Sequence, residues 1–480
     1  VLDMLLVFIS WYQFIIFAYF ILINGTCSFF TLVSLKDIRR YSSTVTAQNI
    51  KNIISGSFYR PLSIVVPAYN ERETIAASLK SLLGLHFPEF EVIVVNDGST
   101  DTTLQELKEH FRLVKIDKPI ALKLDHRPLR GIYISLDYPH LLVLDKENGG
   151  KADALNAGIN ASKFPLFCCV DADSLLDNDA LLKAVRPFIE DREVIATGGI
   201  VRVVNGCTVE DGNVISVRAP KKAIECFQAV EYVRTFLSGR TAWNSFDSLL
   251  IISGAFSIFR KDLLMAVNGY RHTVGEDMDL VLRLHKHCRD HKIRYKIIFV
   301  PDPVCWTQVP ADFNSLTKQR NRWQRGLIES LWFNRKMFLN PKYGTVGLFG
   351  YPYFIFVEAL APIVEFLGYF LFVVFYLTGY LDLDFALLFF MLAILWGAWI
   401  NLGSILLDNL IYMRYQRLTD ILKLCLFGLI EFIGPRQLIL TERLLATFQF
   451  WKKGWGKPKR QAISSKPAEE TEGRQPKEVA

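Results

Sequence analysis

Eight cysteines occur in this sequence without one Cys-x-x-Cys pair, and two of them, Cys168 and Cys169, are neighbours on an apolar run. Neither a disulfide framework nor a zinc site is expected from that spacing, and free thiols fit a reducing cytosol. A complete P-loop is missing too. Lys146-Glu-Asn-Gly149-Gly150-Lys151 comes near one, but Asp145 stands where a glycine is needed and Ala152 where a serine or threonine is needed, which argues against a Walker-type ATPase. The first apolar run, Met4 to Ile23, lacks a basic start and is followed by Lys36, Arg39 and Arg40, so an uncleaved anchor is expected rather than a signal peptide. Positive charge is not concentrated on the central region. The formal net charge of +7 comes from scattered Lys and Arg, with clusters only at Lys36 to Arg40 and Lys452 to Arg460 beside apolar segments. Nucleic acid is therefore not an expected partner, and the clusters read as cytoplasmic membrane flanks.

Apolar residues make up 51% of the 480 and gather at both ends, Leu5 to Leu35 and Leu348 to Phe450. Between them lies a mixed region of roughly 280 residues, ample for a buried core. The resulting division is an N-terminal transmembrane helix (1–36), a linker (37–60), a cytoplasmic domain (61–340), interface and transmembrane helices (341–452), and a basic then disordered cytoplasmic tail (453–480). Segments Leu348 to Leu377 and Phe385 to Ile411 are long enough to span, and Leu422 to Phe450 is a third, broken at Gly434-Pro435-Arg436. The loop Asp382 to Asp384 has no basic residue while Arg414 and Arg417 occupy the next loop, which puts the first outside and the second inside. Glu358 and Glu365, seven apart, share a helical face and can line a polar conduit, as can Asp408, Asn409 and Glu431, although interfacial helices explain them almost as well.

Within the central region, Leu62 to Pro67 and Glu91 to Asn96 read as buried parallel strands, joined by a helix over Glu73 to Leu83. That βαβ unit exposes its ligand side at the strand C-terminal ends, where Asn70, Glu71 and Asp97 sit. Leu141 to Leu144 and Leu166 to Val170 are further strands, and Lys151 to Ala161 is a helix. Glu225 to Phe236 and Asp277 to His287 are expected helices, and Leu249 to Ile252 an expected strand entering Ser253-Gly254-Ala-Phe256. The fold class is α/β, with a mixed, mostly parallel sheet and flanking helices, plus an α-helical membrane region.

Four motifs then fall in one order: Asp97-Gly, Asp171-Ala-Asp173, Gly-Glu276-Asp277 and Gln319-Arg-Asn-Arg322-Trp323. Two carboxylates after a buried strand can ligate Mg²⁺ or Mn²⁺ beside a diphosphate, though an aspartate there is often only a turn former. Lys151, after two glycines at a helix start, can meet a diphosphate; a solvated first turn is the alternative. Acidic residues such as Glu276 and Asp277 are favoured at a helix start by its dipole, yet direct displacement at an anomeric carbon also needs one carboxylate base, for which Asp277 is the candidate. Arg322 can pair with a diphosphate and Trp323 can stack on a sugar, while Arg and Trp also favour membrane headgroups. His285, His287 and His291 suggest zinc less than they suggest basic residues ending a helix.

Taken as an ordered set, these motifs resemble those of the membrane-embedded processive family-2 glycosyltransferases, the cellulose, hyaluronan, chitin and poly-N-acetylglucosamine synthases, from about Leu62 through the last apolar segment. The resemblance implies that Pro67, Tyr69, Asn70 and Glu71 shape the nucleotide pocket, that Asp97 contacts uracil, and that Asp171 and Asp173 handle uridine diphosphate and metal. It likewise implies that Asp277 is the base, that Gln319 and Arg322 serve the diphosphate, and that Trp323 serves the acceptor sugar. Ser253 and Gly254 match an acceptor-side loop more loosely, with Glu276 beside them. Gly454-Trp455-Gly456 resembles a gating motif of hyaluronan synthases from which Lys457 and Pro458 depart. The roughly 20 residues after Arg460 are too few for a cyclic-di-GMP receptor domain.

The expectation is an inverting, processive transfer of a glucose- or N-acetylglucosamine-type hexose from a UDP-sugar to a β-linked exopolysaccharide, coupled to export. The enzyme would lie in the plasma or inner membrane, with magnesium or manganese, membrane lipid, donor and polysaccharide as partners and room for accessory export or regulatory subunits. Transfer of one sugar to a polyprenyl phosphate is the alternative, and a non-catalytic nucleotide-sugar scaffold a more distant one.

Overall fold

The computed structural model describes residues 2–45, 59–431 and 434–449. The strands are β1 (Leu62–Ala68), β2 (Phe90–Asp97), β3 (Leu113–Ile116), β4 (Leu129–Ser135), β5 (Leu141–Lys146), β6 (Leu166–Val170), β7 (Leu175–Leu176), β8 (Val194–Val203), β9 (Thr208–Glu210), β10 (Asn213–Ser216), β11 (Phe256–Arg260) and β12 (Lys296–Thr307). Ten of them form one mixed sheet in the order β3-β4-β5-β2-β1-β6-β11-β8-β12-β7, and β9 and β10 form a small hairpin.

The centre of the sheet is the parallel run β5-β2-β1-β6, whose register pairs Ala68 with Asn96 and Asp97 with Lys146. Its Val- and Ile-rich strands are buried on both faces, as a sheet covered by helices on each side requires. β11 joins antiparallel to β6 with Phe256 opposite Val170. The loop into β11 and the loops leaving β1, β2, β5 and β6 consequently meet along one edge. Expected boundaries for β1, β2, β6 and the Lys151–Ala161 helix fall within two residues of those observed.

Leu249 to Ile252 departs from expectation: it is not a strand. The segment is buried coil, held where His285 Nε2 donates to the Leu249 carbonyl at 2.9 Å, and the chain enters the sheet only at Phe256. Apolarity marked its burial but not its pairing, because a short apolar run reads alike in both. The expected helix at Glu225 to Phe236 is observed as Ala223–Val233, continuing into a π-helix at Arg234–Arg240.

Three helices among the described residues are long and apolar enough to cross a membrane, over Trp11–Tyr41, Val346–Leu377 and Ala386–Tyr412. The first belongs to a helix, Leu2–Val45, that runs through the basic cluster where a linker was expected to start. The third apolar segment does not form a span: it breaks into Leu418–Ile430 and Pro435–Thr447 at Gly434, each too short. Glu358 and Glu365 both fall in the Val346–Leu377 helix, on either side of a bend at Leu360 where a π-helical turn, Phe354–Ala359, passes into the α-helix Ala361–Leu377. Asp408 and Glu431 are taken up by ion pairs rather than left to line a conduit: Arg202 Nη1 donates to Asp408 at 2.8 Å and Arg234 Nη1 to Glu431 at 3.0 Å. Arg218 holds Asp420 at 2.8 Å, and Arg414 reaches Asp177 at 3.3 Å. The proposed gate at Trp455 to Arg460 and the tail lie outside the described residues.

Candidate active site

One cleft of about 1230 Å³ lies over the strand ends, and all fifteen residues nominated from the sequence line it. β1 delivers Pro67, Tyr69, Asn70 and Glu71, β2 delivers Asp97, and β6 delivers Asp171 and Asp173. Ser253 and Gly254 arrive on the loop into β11. Glu276 and Asp277 open the Glu276–Asp290 helix, and Gln319, Arg322 and Trp323 sit in the Phe313–Phe333 helix. These two helices approach through glycine. A Cβ on Gly275 would lie 2.7 Å from the Gly326 carbonyl oxygen, so the helix start and the second helix touch through backbone.

Asp97 is turned inward, and its carboxylate is fully used. It accepts from Lys146 Nζ at 2.6 Å, from the Gly149 and Gly150 N–H groups at 2.9 and 2.7 Å, and from Asn148 Nδ2 at 3.3 Å. Asp97 therefore fixes the turn that leads into the Lys151–Ala161 helix. Lys146 is wholly buried between Asp97 and Asp153, and neither Lys146 nor Asp153 was nominated from the sequence. Asn70, at φ 55°, ties two loops together by accepting from the Thr100 N–H at 2.8 Å; asparagine tolerates that left-handed backbone.

Beyond this turn lies a charged centre. Lys151 Nζ is 2.7 Å from Asp171 and 3.4 Å from Glu276. Burial alone would lower the Lys151 pKa, but Asp171 and Glu276 outweigh it and hold the ammonium charged. Burial pushes the Glu276 carboxyl up, with Lys151 opposing and the neighbouring Asp277 adding to the rise. Asp277 accepts from the Gly254 N–H at 3.3 Å and from the Met278 N–H at 2.8 Å. Arg240, the last residue of the π-helix, lies over the Phe236 ring at 3.9 Å, and burial lowers its pKa to about 10 against the field of Asp277.

On the far wall Trp323 is 42% exposed, with Tyr232 tilted beside it at 6.5 Å. Glu231, Tyr232 and Arg240 were missed by sequence reasoning, as was Arg320. Arg320 stands inside a quoted motif, so its place was visible though its use was not. The cleft continues past this wall to Cys27, Thr31, Tyr353, Glu358 and Ile400, which belong to the long apolar helices.

Two family patterns match the chain: glycosyl transferase family 2 over residues 63–266 and glycosyl transferase family group 2 over residues 166–400. The two patterns together run over residues 63–400, and that stretch carries the sequence of a sugar-transferring enzyme of the family-2 type. Among curated proteins, the poly-beta-1,6-N-acetyl-D-glucosamine synthase of Staphylococcus epidermidis is 28% identical over 278 residues, 56% of this chain and 56% of that protein. The synthase of Staphylococcus aureus strain COL is 28% identical over 273 residues, 56% of this chain and 55% of that one. The matched region spans about half the length of these relatives. Among solved structures, the mannosyltransferase PcManGT from Pyrobaculum calidifontis, in complex with GDP-Man and Mn²⁺, shares the fold at a TM-score of 0.50 and 16% identity. That likeness covers 90% of this chain and 98% of the mannosyltransferase.

Proposed function

We propose that this family-2 glycosyltransferase makes a β-linked polysaccharide from a UDP-hexose of the glucose or N-acetylglucosamine type, adding sugars processively and passing the chain outward. The observation that carries this reading is the single cleft, which joins the nucleotide-side loops, Asp277 and Trp323 to the apolar helices. A transferase working on a small soluble acceptor has no need of that last connection. The poly-N-acetylglucosamine synthases among its relatives support the same polymer class.

In this reading the acceptor hydroxyl gives its proton to Asp277, and its oxygen attacks the anomeric carbon of an α-linked donor from the face opposite the diphosphate. The bond to the diphosphate breaks, its electron pair leaves with UDP, and a β-linkage remains. Asp277 is well placed for this: the Gly254 and Met278 N–H groups hold the carboxylate at the cleft wall. Lys151 and Arg322 supply positive charge on the diphosphate side, and Trp323 offers a flat face to the acceptor ring.

Asp171 and Asp173 fit a divalent cation. Both are hard oxygen donors lining the cleft, and Asp171 already faces the Lys151 ammonium, a charge of the sign such an ion would bring. Magnesium or manganese there would neutralise charge developing on the leaving group.

The catalytic domain is assigned to the cytoplasmic side, because Arg414, in the basic loop read as inside, rests on Asp177 of that domain. Asp277→Asn tests the proposal: the variant is expected to keep UDP binding and lose polymer formation by at least about 10²-fold, the lower end of general-base effects. Full polymerising activity would overturn the assignment. A single glycolipid product in place of a polymer ladder would favour the lipid-phosphate alternative.

A further inference from the structure

Arg320 lies between Gln319 and Arg322 and takes no part in the transfer step. It is only 4% exposed, yet it lines the cleft. Its Nη2 donates to Glu231 Oε2 at 2.6 Å, and its guanidinium carbon is 4.2 Å from the centroid of the Trp323 indole. Its Nε and Nη1, both buried, donate to nothing among the described residues.

Each of these facts restricts what the residue can be doing. A guanidinium over one indole face is held there by the ring quadrupole, which leaves the opposite face for a sugar. The Glu231 carboxylate fixes the fork in its plane, so the indole is held by a cation that cannot swing. Buried N–H groups of a charged side chain are ordinarily paired, because desolvating them without a partner is unfavourable. Arg320 leaves two such groups without a partner among the described residues, so the Glu231 bond and the indole face are what hold it in place.

We propose that Glu231 and Arg320 position Trp323 as the acceptor platform, the guanidinium holding one face of the indole so that the opposite face meets the terminal acceptor sugar. Arg320 is then a positioning residue on the acceptor side of the cleft, not the nucleotide side. This rests on reading Trp323 as the acceptor residue. A lysine cannot replace it, since an ammonium lacks the planar fork that serves Glu231 and the indole together.

The test uses the full chain in detergent or nanodiscs, with UDP-N-acetylglucosamine as donor and a β-linked N-acetylglucosamine oligosaccharide as acceptor. Arg320→Met and Glu231→Gln are each expected to raise the acceptor KM about tenfold with the donor KM unchanged, the signature of lost acceptor binding. Arg320→Lys is expected not to restore it. A general disturbance of the fold would move both constants, and an acceptor KM equal to wild type in both variants would overturn the inference. If Arg320→Met does not fold, Glu231→Gln, which removes a charge and keeps the shape, decides alone. Equal transfer by wild type and Asp277→Asn would instead bring down the functional reading itself.

Discussion

His285 shows what burial does to one side chain. Its two ring nitrogens bond the Tyr295 hydroxyl at 2.8 Å and the Leu249 carbonyl at 2.9 Å, an arrangement suited to a neutral imidazole. Burial lowers its pKa to about 4. The unfolded chain, with an ordinary histidine near 6.5, takes up a proton that the folded chain refuses, so stability present above about pH 6.5 is lost as pH falls toward 4. The expected loss is on the order of 3 kcal/mol from this group. Unfolding midpoints measured across that range should fall less steeply in His285→Gln, and an unchanged slope would contradict the assignment. Zinc chemistry, one reading of the His285 to His291 run, is not needed to explain a residue whose nitrogens are both engaged.

The helices carrying Asp277 and Trp323 meet at Gly275 and Gly326, and this contact brings the proposed base and the proposed acceptor platform to one cleft. A Cβ at Gly326 would stand 2.9 Å from the Gly275 Cα. In an isolated helix Gly326→Ala would be favourable by roughly 1 kcal/mol. Here overpacking should outweigh that gain, for a net destabilisation of about 1–2 kcal/mol. A lowered unfolding midpoint together with reduced transfer is the expected outcome, and a raised midpoint would mean that the helices separate freely. The π-helix at Arg234–Arg240 works at the same scale, for it ends at Arg240 in the cleft wall, and such bulges recur at functional sites.

Across the whole molecule, ion pairs join the catalytic domain to the apolar helices. Arg202 and Asp408, both almost fully buried, are 206 residues apart in sequence. Removing one partner strands the other charge, so Arg202→Met should lower stability by about 3–5 kcal/mol, while Arg202→Met with Asp408→Leu should recover most of it. Unfolding midpoints in detergent would measure both. If the double variant is as unstable as the single one, the link serves something other than charge compensation. Such a link holds the cleft in register with the helices it opens toward, which processive transfer would require.

Period and order in the sequence are enough to place β1, β2, β6 and the Lys151–Ala161 helix, because buried strands and amphipathic helices are written in local apolar spacing. The same locality put the carboxylates of the first three motifs on strand ends and a helix start. Tertiary structure alone decided the rest. Leu249 to Ile252 stays out of the sheet as coil, its Leu249 carbonyl accepting from His285 rather than from a strand, and the Asp97 carboxylate is spent on a turn from another strand. Asp408 and Glu431 close on arginines rather than line a conduit, and Arg320 meets Glu231 across 89 residues. Each of these depends on which distant group arrives with a complementary charge or donor, and no local pattern encodes that arrival.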